Sequence, residues 1–372
     1  MAVRSLVLAA LAALFTMPAL ADSASDALWA ETLAAARKEG SVTVSGPPGA
    51  LQRNAITEGW AKSYPDIRLD YSGGRGSAVI SKIVRERTAG LYNWDIILAS
   101  TNSVVANLLP IKALAPLRDA LIRPDIADDH SWIGGFDIGF MDRERKFLYS
   151  AMGRGAEPIG YVNRACLSQS VFGKIEDMKR PELMDKVVWY DPTRSGIGSR
   201  NAWVLVQYLG EDWLKDLFLN HKVTFSRDYR QMTDWLIGCV KPVAFGMPYD
   251  TLDQMRAAGL GDKVAEMVGK PWSGDVNPGG PGGNESIGWF DQAPHPNAAK
   301  IFVNWYLSQP FQDAHARLVA DNSRRTDTKP GNPHPERIMQ PGVTYQIWAN
   351  EEATEKVTRL QKTIASWGLE RK

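Results

Sequence analysis

Short apolar runs alternate with segments of helical periodicity along most of the chain. Each run is rich in β-branched or aromatic residues, ends in a turn of small or polar residues, and is followed by apolar residues three or four apart. The clearest runs are 41–45, 67–71, 95–99, 187–190 and 242–245. This alternation predicts an α/β fold, in which parallel strands form sheets that are covered by helices on both faces.

The strand–helix units fall into two groups, which predicts two α/β lobes. Three units lie before residue 110 and two lie between 187 and 259. Further runs of strand character at 147–151, 158–162 and 286–290 are expected to cross between the lobes, and the Pro/Gly-rich segment 271–283 is expected to be a loop. The predicted parts are a signal peptide at 1–21, the first lobe at 22–153, the second lobe at 154–283, a return to the first lobe at 284–345, and a C-terminal packing helix at 346–372.

The first 21 residues have the pattern of a secretory signal peptide. Arg4 precedes an uncharged apolar run at 6–15, and Ala19-Leu20-Ala21 offers the small-x-small pattern at which signal peptidases cut. A membrane anchor needs about 20 apolar residues, which is more than this run supplies. We therefore expect export to the periplasm with cleavage after residue 21.

The balance of charged residues and the length of the chain limit the classes of protein to which it can belong. The 372 residues carry 43 Lys and Arg against 42 Asp and Glu, so the chain lacks the basic field that drives nucleic-acid binding. Two domains of ordinary size, each with its own core, fit this length. The sequence also contains no nucleophile elbow, zinc-protease motif, phosphate loop or Cys/His dyad, so no catalytic residue is assigned and an exported hydrolytic enzyme is kept only as an alternative.

The two cysteines leave two structures open. In an oxidising compartment Cys166 and Cys239 would form a disulfide, and otherwise they would be two buried thiols. The histidines are scattered, so no spacing typical of a metal site is present, and no metal or cofactor is expected.

The candidate ligand site consists of side chains that follow the predicted strands, because ligands of open α/β sheets bind at the carboxyl ends of the strands. Hydroxyl and arginine side chains prevail there, and arginine binds carboxylates and phosphonates through paired hydrogen bonds. Arg154 and Glu285 are added because they lie near the predicted crossings. The candidates are Ser45, Arg75, Gly76, Ser77, Ser100, Thr101, Arg154, Thr193, Arg194, Ser195, Gly196, Tyr249 and Glu285.

Three segments resemble the exported solute-binding proteins of bacterial ABC importers, in the branch that includes ferric-ion binders. They are the helix and first strand at 31–45, the Tyr-Pro passage at 60–67, and the late helix with its Ala-Pro-His-Pro-Asn start at 293–308. The resemblance covers about residues 28–325. It implies a type II periplasmic-binding-protein fold with a ligand cleft between two lobes, a monomer in the periplasm, and a permease in the inner membrane as partner. It also places His295 in a helix-start motif, which favours a structural role.

The resemblance implies that the turn Thr193-Arg194-Ser195-Gly196 holds an anion. Ferric binders present two adjacent tyrosines after a later strand, whereas this chain has Tyr249 alone there, and 46–49 reads Gly-Pro-Pro-Gly where some of them carry His and Glu. We therefore expect a small anionic solute of carboxylate or phosphonate type, captured by lobe closure. Ferric ion with a companion anion and a polyamine are the alternative ligands.

Overall fold

The computed structural model describes residues 17–74, 76–282, 285–332 and 334–369, and at 17–23, 76–78 and 249–252 it describes the backbone alone. The strands are β1 Ser41–Gly46, β2 Arg68–Gly73, β3 Ile96–Ala99, β4 Leu114–Ala115, β5 Leu148–Tyr149, β6 Gly153–Arg154, β7 Gly160–Asn163, β8 Val187–Tyr190, β9 Thr224–Ser226, β10 Val243–Phe245, β11 Val264–Met267, β12 Pro278–Pro281, β13 Ser286–Phe290 and β14 Gln346–Ile347. The α-helices are α1 Met17–Glu39, α2 Ala50–Ser63, α3 Gly76–Thr88, α4 Thr101–Asn107, α5 Ile197–Leu209, α6 Glu211–Asn220, α7 Tyr229–Ile237, α8 Tyr249–Ala257, α9 Lys270–Ser273, α10 Pro296–Leu307, α11 Gln309–Val319 and α12 Glu351–Ser366.

The chain divides into two units. The first comprises residues 1–140, 144–151 and 284–331, and the second comprises 141–143, 152–283 and 332–372. The segment 332–345 therefore belongs to the second unit and not, as the sequence suggested, to the first. It is held there because β14 pairs with β12, and because the Gly155 amide donates to the Arg337 carbonyl at 2.9 Å. Residues 1–16 of the predicted signal peptide lie outside the described residues, and residues 17–21 form the beginning of α1.

The first unit is built on a mixed sheet of order β2-β1-β3-β13-β4, with β5 also paired to β13. Strands β1, β2 and β3 are parallel, as predicted, but β13 runs antiparallel between β3 and β4. The returning strand β13 is antiparallel because it begins beside the carboxyl end of β3, where Ser286 pairs with Ala99. All four residues of β3 are buried, as expected of a strand covered on both faces.

The core of the first unit contains an aromatic cluster between α2 and α10. The Trp60 ring lies 5.3 Å from both Phe302 and Trp305, and its Nε1 donates to the Ile67 carbonyl at 2.7 Å. Trp60 is 1% exposed, so this indole nitrogen needs its internal acceptor. The cluster thus fixes α2 and α10 against the start of β2.

His295 is a structural residue of the first unit. Its backbone N–H donates to Asp95 Oδ1 at 2.8 Å, its Nδ1 lies 2.8 Å from Asp95 Oδ2, and its Nε2 lies 3.2 Å from Ser41 Oγ. Burial raises the pKa of Asp95, although the hydrogen bonds from Thr43 and His295 oppose that rise. The pair ties the start of α10 to the amino ends of β1 and β3.

Arg324 is a fully buried cation that binds loop oxygens of the first unit. Its guanidinium donates to the Ile133 carbonyl at 2.9 Å, to the Gly135 carbonyl at 3.2 Å and to the Tyr149 hydroxyl at 2.8 Å. Trp132 covers it at 5.4 Å. Burial lowers the pKa of this arginine. The charge is tolerated because several oxygen dipoles replace its hydration shell.

The second unit is built on a five-stranded sheet of order β11-β7-β10-β8-β9. Strands β8, β9 and β10 are parallel, and β7 runs antiparallel to β10 and β11. Alternate residues point to opposite faces: Trp189 and Phe245 enter the core shared with α5, α6 and α12, whereas Val188 and Ala244 pack with α7. The helix α12 belongs to this unit, where Val357, Leu360 and Ile364 are buried, as its spacing predicted for a packing helix.

The segment 271–283, which was expected to be a loop, contains the helix α9 and the strand β12. Strand β12 pairs antiparallel with β6 and parallel with β14. A Cβ atom on Gly279 would lie 2.4 Å from the Gly155 carbonyl oxygen. This glycine therefore permits the backbones of two segments to approach closely. A high glycine content does not by itself distinguish such a contact from a turn.

A disulfide joins Cys166 and Cys239 in the second unit, so the paired alternative of the two considered is the one adopted. Their Cα atoms are 5.9 Å apart and their sequence separation is 73. The bond connects the turn after β7 to the segment between α7 and β10. It therefore fastens the two chain segments that flank the antiparallel pair at the centre of this sheet.

Removing the disulfide should destabilise the protein. In the chain-entropy model, replacing both cysteines by serine should lower the free energy of unfolding by about 4 kcal/mol, because the unfolded chain regains the freedom of the closed loop. Urea unfolding with and without reductant measures this. The double-serine protein should not respond to reductant, and a wild type equally stable in both conditions would contradict the prediction.

Candidate functional site

The carboxyl ends of β1, β2 and β3 place hydroxyl groups at one edge of the first unit's sheet. Ser45 and Ser72 are paired in register on neighbouring strands, and Ser100 follows β3. Thr101 Oγ1 lies 2.9 Å from Ser286 Oγ, and Thr101 is 1% exposed. The predicted residues Ser45, Ser100 and Thr101 therefore lie at the same edge, but the Thr101 hydroxyl already has a partner there.

Glu285 lies at this same edge, one residue before β13, but its carboxylate points into the unit. Glu285 is 8% exposed and His315 is 1% exposed, and Glu285 Oε2 lies 2.9 Å from His315 Nε2. The Tyr306 hydroxyl donates to the same oxygen at 3.3 Å. Burial and the nearby Glu285 charge raise the pKa of Tyr306 well above its usual value. Glu285 is thus engaged with groups of its own unit.

In the second unit, three loops follow the parallel strands β8, β9 and β10 and meet at one edge. Asp191, the first residue after β8, links two of them. Its Oδ1 accepts the Thr193 backbone N–H at 2.9 Å and the Thr193 hydroxyl at 2.6 Å, and its Oδ2 accepts Arg227 Nε at 2.8 Å and Nη2 at 2.6 Å. The carboxylate therefore joins the loop after β8 to the loop after β9.

The pKa of Asp191 is lowered by this arrangement. Burial alone raises it, since Asp191 is 5% exposed, but the hydrogen bonds from Thr193 and Arg227 and the Arg227 charge outweigh burial. Each of these bonds favours the ionised form. Asp191 is consequently a buried carboxylate that holds a fixed negative charge.

The turn that Asp191 holds presents Arg194 and Ser195 to solvent just before α5. Both residues are exposed, and the Arg194 backbone N–H donates to the Asp191 carbonyl at 3.3 Å. Gly196, with φ +151°, precedes the helix, whose first amides carry partial positive charge. Within the described part of the chain Arg194 forms no ion pair.

Two glycines bring the loop after β10 against the first turn of α5. A Cβ atom on Gly246, where φ is +82°, would lie 2.7 Å from the Gly198 Cα and 2.7 Å from the Tyr190 Cβ. A Cβ atom on Gly198 would lie 2.1 Å from the Tyr190 carbonyl oxygen. The backbone at Gly246 is therefore in direct contact with the helix start that follows the Asp191 turn.

None of the remaining predicted residues has a described side chain at either of these two sheet edges. Arg75 lies outside the described residues. For Gly76 and Ser77, at the start of α3, and for Tyr249, at the start of α8, only the backbone is described. Arg154 lies in β6, away from the parallel strands, with Nη1 3.4 Å from Glu157 Oε1.

The edge at which the loops after β8, β9 and β10 meet, the second edge, also carries two tyrosines and an arginine that were not predicted from the sequence. The rings of Tyr190 and Tyr229 stack with centroids 4.5 Å apart and an interplanar angle of 16°. Tyr190 ends a predicted strand, so its position could have suggested a role. Arg227 and Tyr229 follow β9, a strand of three residues that the hydrophobic pattern did not reveal.

The second edge combines hydrogen-bond donors with a carboxylate that is already hydrogen-bonded. Backbone amides, hydroxyls and an exposed guanidinium are donors. The Asp191 carboxylate already accepts hydrogen bonds from Thr193 and Arg227. No group of three or more His, Cys, Asp or Glu side chains placed to hold a metal ion occurs among the described residues. Phenol oxygens are the other potential ligands at this edge.

Replacing Asp191 by asparagine should expose the contribution of its charge. At neutral pH we expect a loss of about 1–3 kcal/mol in the free energy of unfolding, because the charge-assisted bonds to Arg227 are removed. The wild-type advantage should be complete above about pH 4, the unfolded pKa of aspartate, and should vanish as pH falls through the lower folded pKa. Urea unfolding from pH 7 to pH 2.5 measures it, and a difference that is independent of pH would contradict the assignment.

No protein-family model matches the chain, and no curated protein matches it. Solved structures do. Iron-bound HitA from Pseudomonas aeruginosa is 14% identical with a TM-score of 0.62, covering 88% of this chain and 99% of that one. IdiA/FutA from Trichodesmium, in complex with iron and citrate, is 14% identical with a TM-score of 0.64, covering 89% and 100%. The substrate-binding protein of an ABC transporter from Agrobacterium tumefaciens is 15% identical with a TM-score of 0.59, covering 88% and 94%.

These similarities confirm the predicted fold: the chain has the type II periplasmic-binding-protein fold, with two α/β lobes. Over the described residues, no helix combines the length and the apolar character needed to cross a bilayer.

Proposed function

We propose that this chain, which folds like the solute-binding proteins of ABC importers, is a periplasmic receptor that captures a small anionic solute and delivers it to a membrane permease. The observation that carries the proposal is the turn held by Asp191, which presents Arg194 and Ser195 at the carboxyl edge of β8. Ligands of open α/β sheets bind at such edges.

The order of this turn favours tight binding. Because Thr193 and Arg227 fix Asp191 through four hydrogen bonds, the backbone before α5 is arranged before a ligand arrives. A preformed turn loses little conformational entropy on binding. The guanidinium of Arg194 and the first amides of α5 then supply charge-assisted bonds to a carboxylate or phosphonate.

The proposed function also implies where the protein is located and which protein it works with. The signal-peptide pattern at 1–21 supports delivery to the periplasm, and the solved structure from Agrobacterium tumefaciens is that of an ABC transporter's substrate-binding protein. A receptor of this kind returns its ligand unchanged. This property separates it from the alternative of an exported hydrolytic enzyme.

Ferric ion with a companion anion is a second candidate, favoured by the iron in HitA and by the iron and citrate in FutA. The phenol rings of Tyr190 and Tyr229 at the second edge support it, since hard Fe(III) prefers anionic oxygen ligands. The exposed Arg194 charge repels a bare trication, however. Iron would therefore bind here together with an anion.

A thermal-shift panel of citrate, other small carboxylates, phosphonates, ferric citrate, polyamines and sugars tests the function. A true ligand at about 100 times its dissociation constant should add roughly 2.7 kcal/mol to the stability of the folded state. We expect an anion to do so and to be recovered intact. A visible charge-transfer band would mark iron bound by phenolate, a response to polyamines alone would replace the anion, and conversion of the ligand would establish an enzyme.

Replacing Arg194 by alanine should weaken the binding of the anionic ligand. Loss of a charge-assisted contact predicts a change of about 1–3 kcal/mol, or roughly 5- to 150-fold in Kd. Arg230→Ala on α7 is the matched control, because Arg230 is also exposed. Titration calorimetry measures both variants, and an unchanged Kd for Arg194→Ala would remove this residue from the site.

A further inference from the structure

We propose that Arg337 is a positioning residue for the candidate site of the second unit, and that it acts through Asp253 on α8. This inference rests on the proposed function, because it concerns the placement of the loop after β10 and of Tyr249, the first residue of α8. The arginine lies in the segment 332–345, which sequence reasoning had assigned to the other unit.

The guanidinium of Arg337 bridges two carboxylates of different elements. Its Nη1 lies 3.0 Å from Asp253 Oδ2 on α8, and its Nη2 lies 2.7 Å from Glu266 Oε1 on β11. The Arg337 side chain is 5% exposed and that of Glu266 is 13% exposed, so the bond between them is largely shielded from water, whereas Asp253 is 38% exposed. His334 Nε2 adds a contact to Asp253 Oδ1 at 3.3 Å.

The backbone that carries Arg337 is itself fixed. The Arg337 carbonyl accepts the Gly155 amide at 2.9 Å, and a Cβ atom on Gly155 would lie 2.2 Å from the Glu336 carbonyl oxygen. The segment therefore lies directly on the backbone after β6. It provides a rigid support from which Arg337 reaches α8.

Besides Asp253, helix α8 is anchored in the described structure by one apolar side chain and by Arg256, whose Nη2 donates to the Val264 carbonyl at 3.4 Å. Among its residues 253–257, Met255 is the one buried side chain, and Pro248 at the N-cap supplies no capping bond. Among these described contacts, the ion pair of Asp253 with Arg337 joins α8 to the segment 332–345, and we expect it to determine where α8 lies. Binding groups must be held to within about 0.5 Å for productive contact.

A shift of α8 reaches the site directly. Asp253 lies one turn after Tyr249, and the preceding loop contains Gly246, which touches Gly198 at the start of α5. Loss of the bond to Asp253 should therefore loosen the loop and the helix start together. Loss of the bond to Glu266 should leave α8 in place, because that bond ends on β11.

The two carboxylates provide a matched pair of variants. Asp253→Asn removes the arm to α8, and Glu266→Gln removes the arm to β11, while each keeps the shape of its side chain. Asp253 is 38% exposed, so its variant should fold. Hydrogen–deuterium exchange of peptides spanning 246–257, measured on the full chain without ligand at one pH, reports directly on α8.

We expect exchange in 246–257 to rise at least fivefold in Asp253→Asn and to stay within twofold of wild type in Glu266→Gln. With citrate as probe, Kd should rise at least fivefold in Asp253→Asn at a nearly unchanged melting temperature, and stay within twofold in Glu266→Gln. Wild-type exchange in Asp253→Asn, or equal effects of the two variants, would overturn the inference.

Failure of the proposed function has a different signature. A wild-type chain that binds none of the anions of the panel would remove the anion receptor, and the exchange experiment would still decide whether Arg337 positions α8. Conversely, normal anion binding by Asp253→Asn would leave the receptor intact and refute the positioning role.

Discussion

The parallel direction of β8, β9 and β10 is the constraint on which the candidate site depends. Val188 pairs with Thr224 and Ala244 with Val188, so the three strands end at one edge of the sheet. Residues far apart in the chain thereby come within hydrogen-bonding distance, as Asp191 and Arg227 do across 36 positions. Reversing any one strand would carry its loop to the opposite edge and separate these groups. The site is thus a consequence of strand direction before it is a consequence of side-chain chemistry.

Asp191 then determines the charge that this edge offers. An aspartate so deeply buried must be paired, and it takes Arg227 as partner together with the Thr193 hydroxyl and amide. The charge of Arg227 is neutralised in this way, and the turn before α5 is held in place. Arg194, whose backbone is fixed by the same residue, keeps its charge in solvent. The buried Asp191 carboxylate thus has a structural role in the turn, which is compatible with a site proposed for anions.

Sequence patterns predicted those parts of the fold that depend on local periodicity. The runs 41–45, 187–190 and 286–290 are strands, and the spacing of Val357, Leu360 and Ile364 gave a packing helix. They failed where a contact distant in sequence decides the structure. Strand β12 has the composition of a loop but gains its hydrogen bonds from β6 and β14, and β9 is too short to show alternation. For the same reason Thr193 and Arg194 were found from the strand end before them, whereas Arg227 and Arg337 were not.

The two sheet edges differ in their chemistry, and this difference bears on the ligand. At the first edge the described side chains are hydroxyls, and the acidic Glu285 is turned inward against His315 and Tyr306. At the second edge a guanidinium is exposed. Glu285 and Asp191 are both engaged within their own units, whereas the exposed Asp228 at the second edge accepts backbone N–H groups at the start of α7. In the proposed function an anion is the component that the two candidate ligands share, because it binds either alone or together with ferric ion.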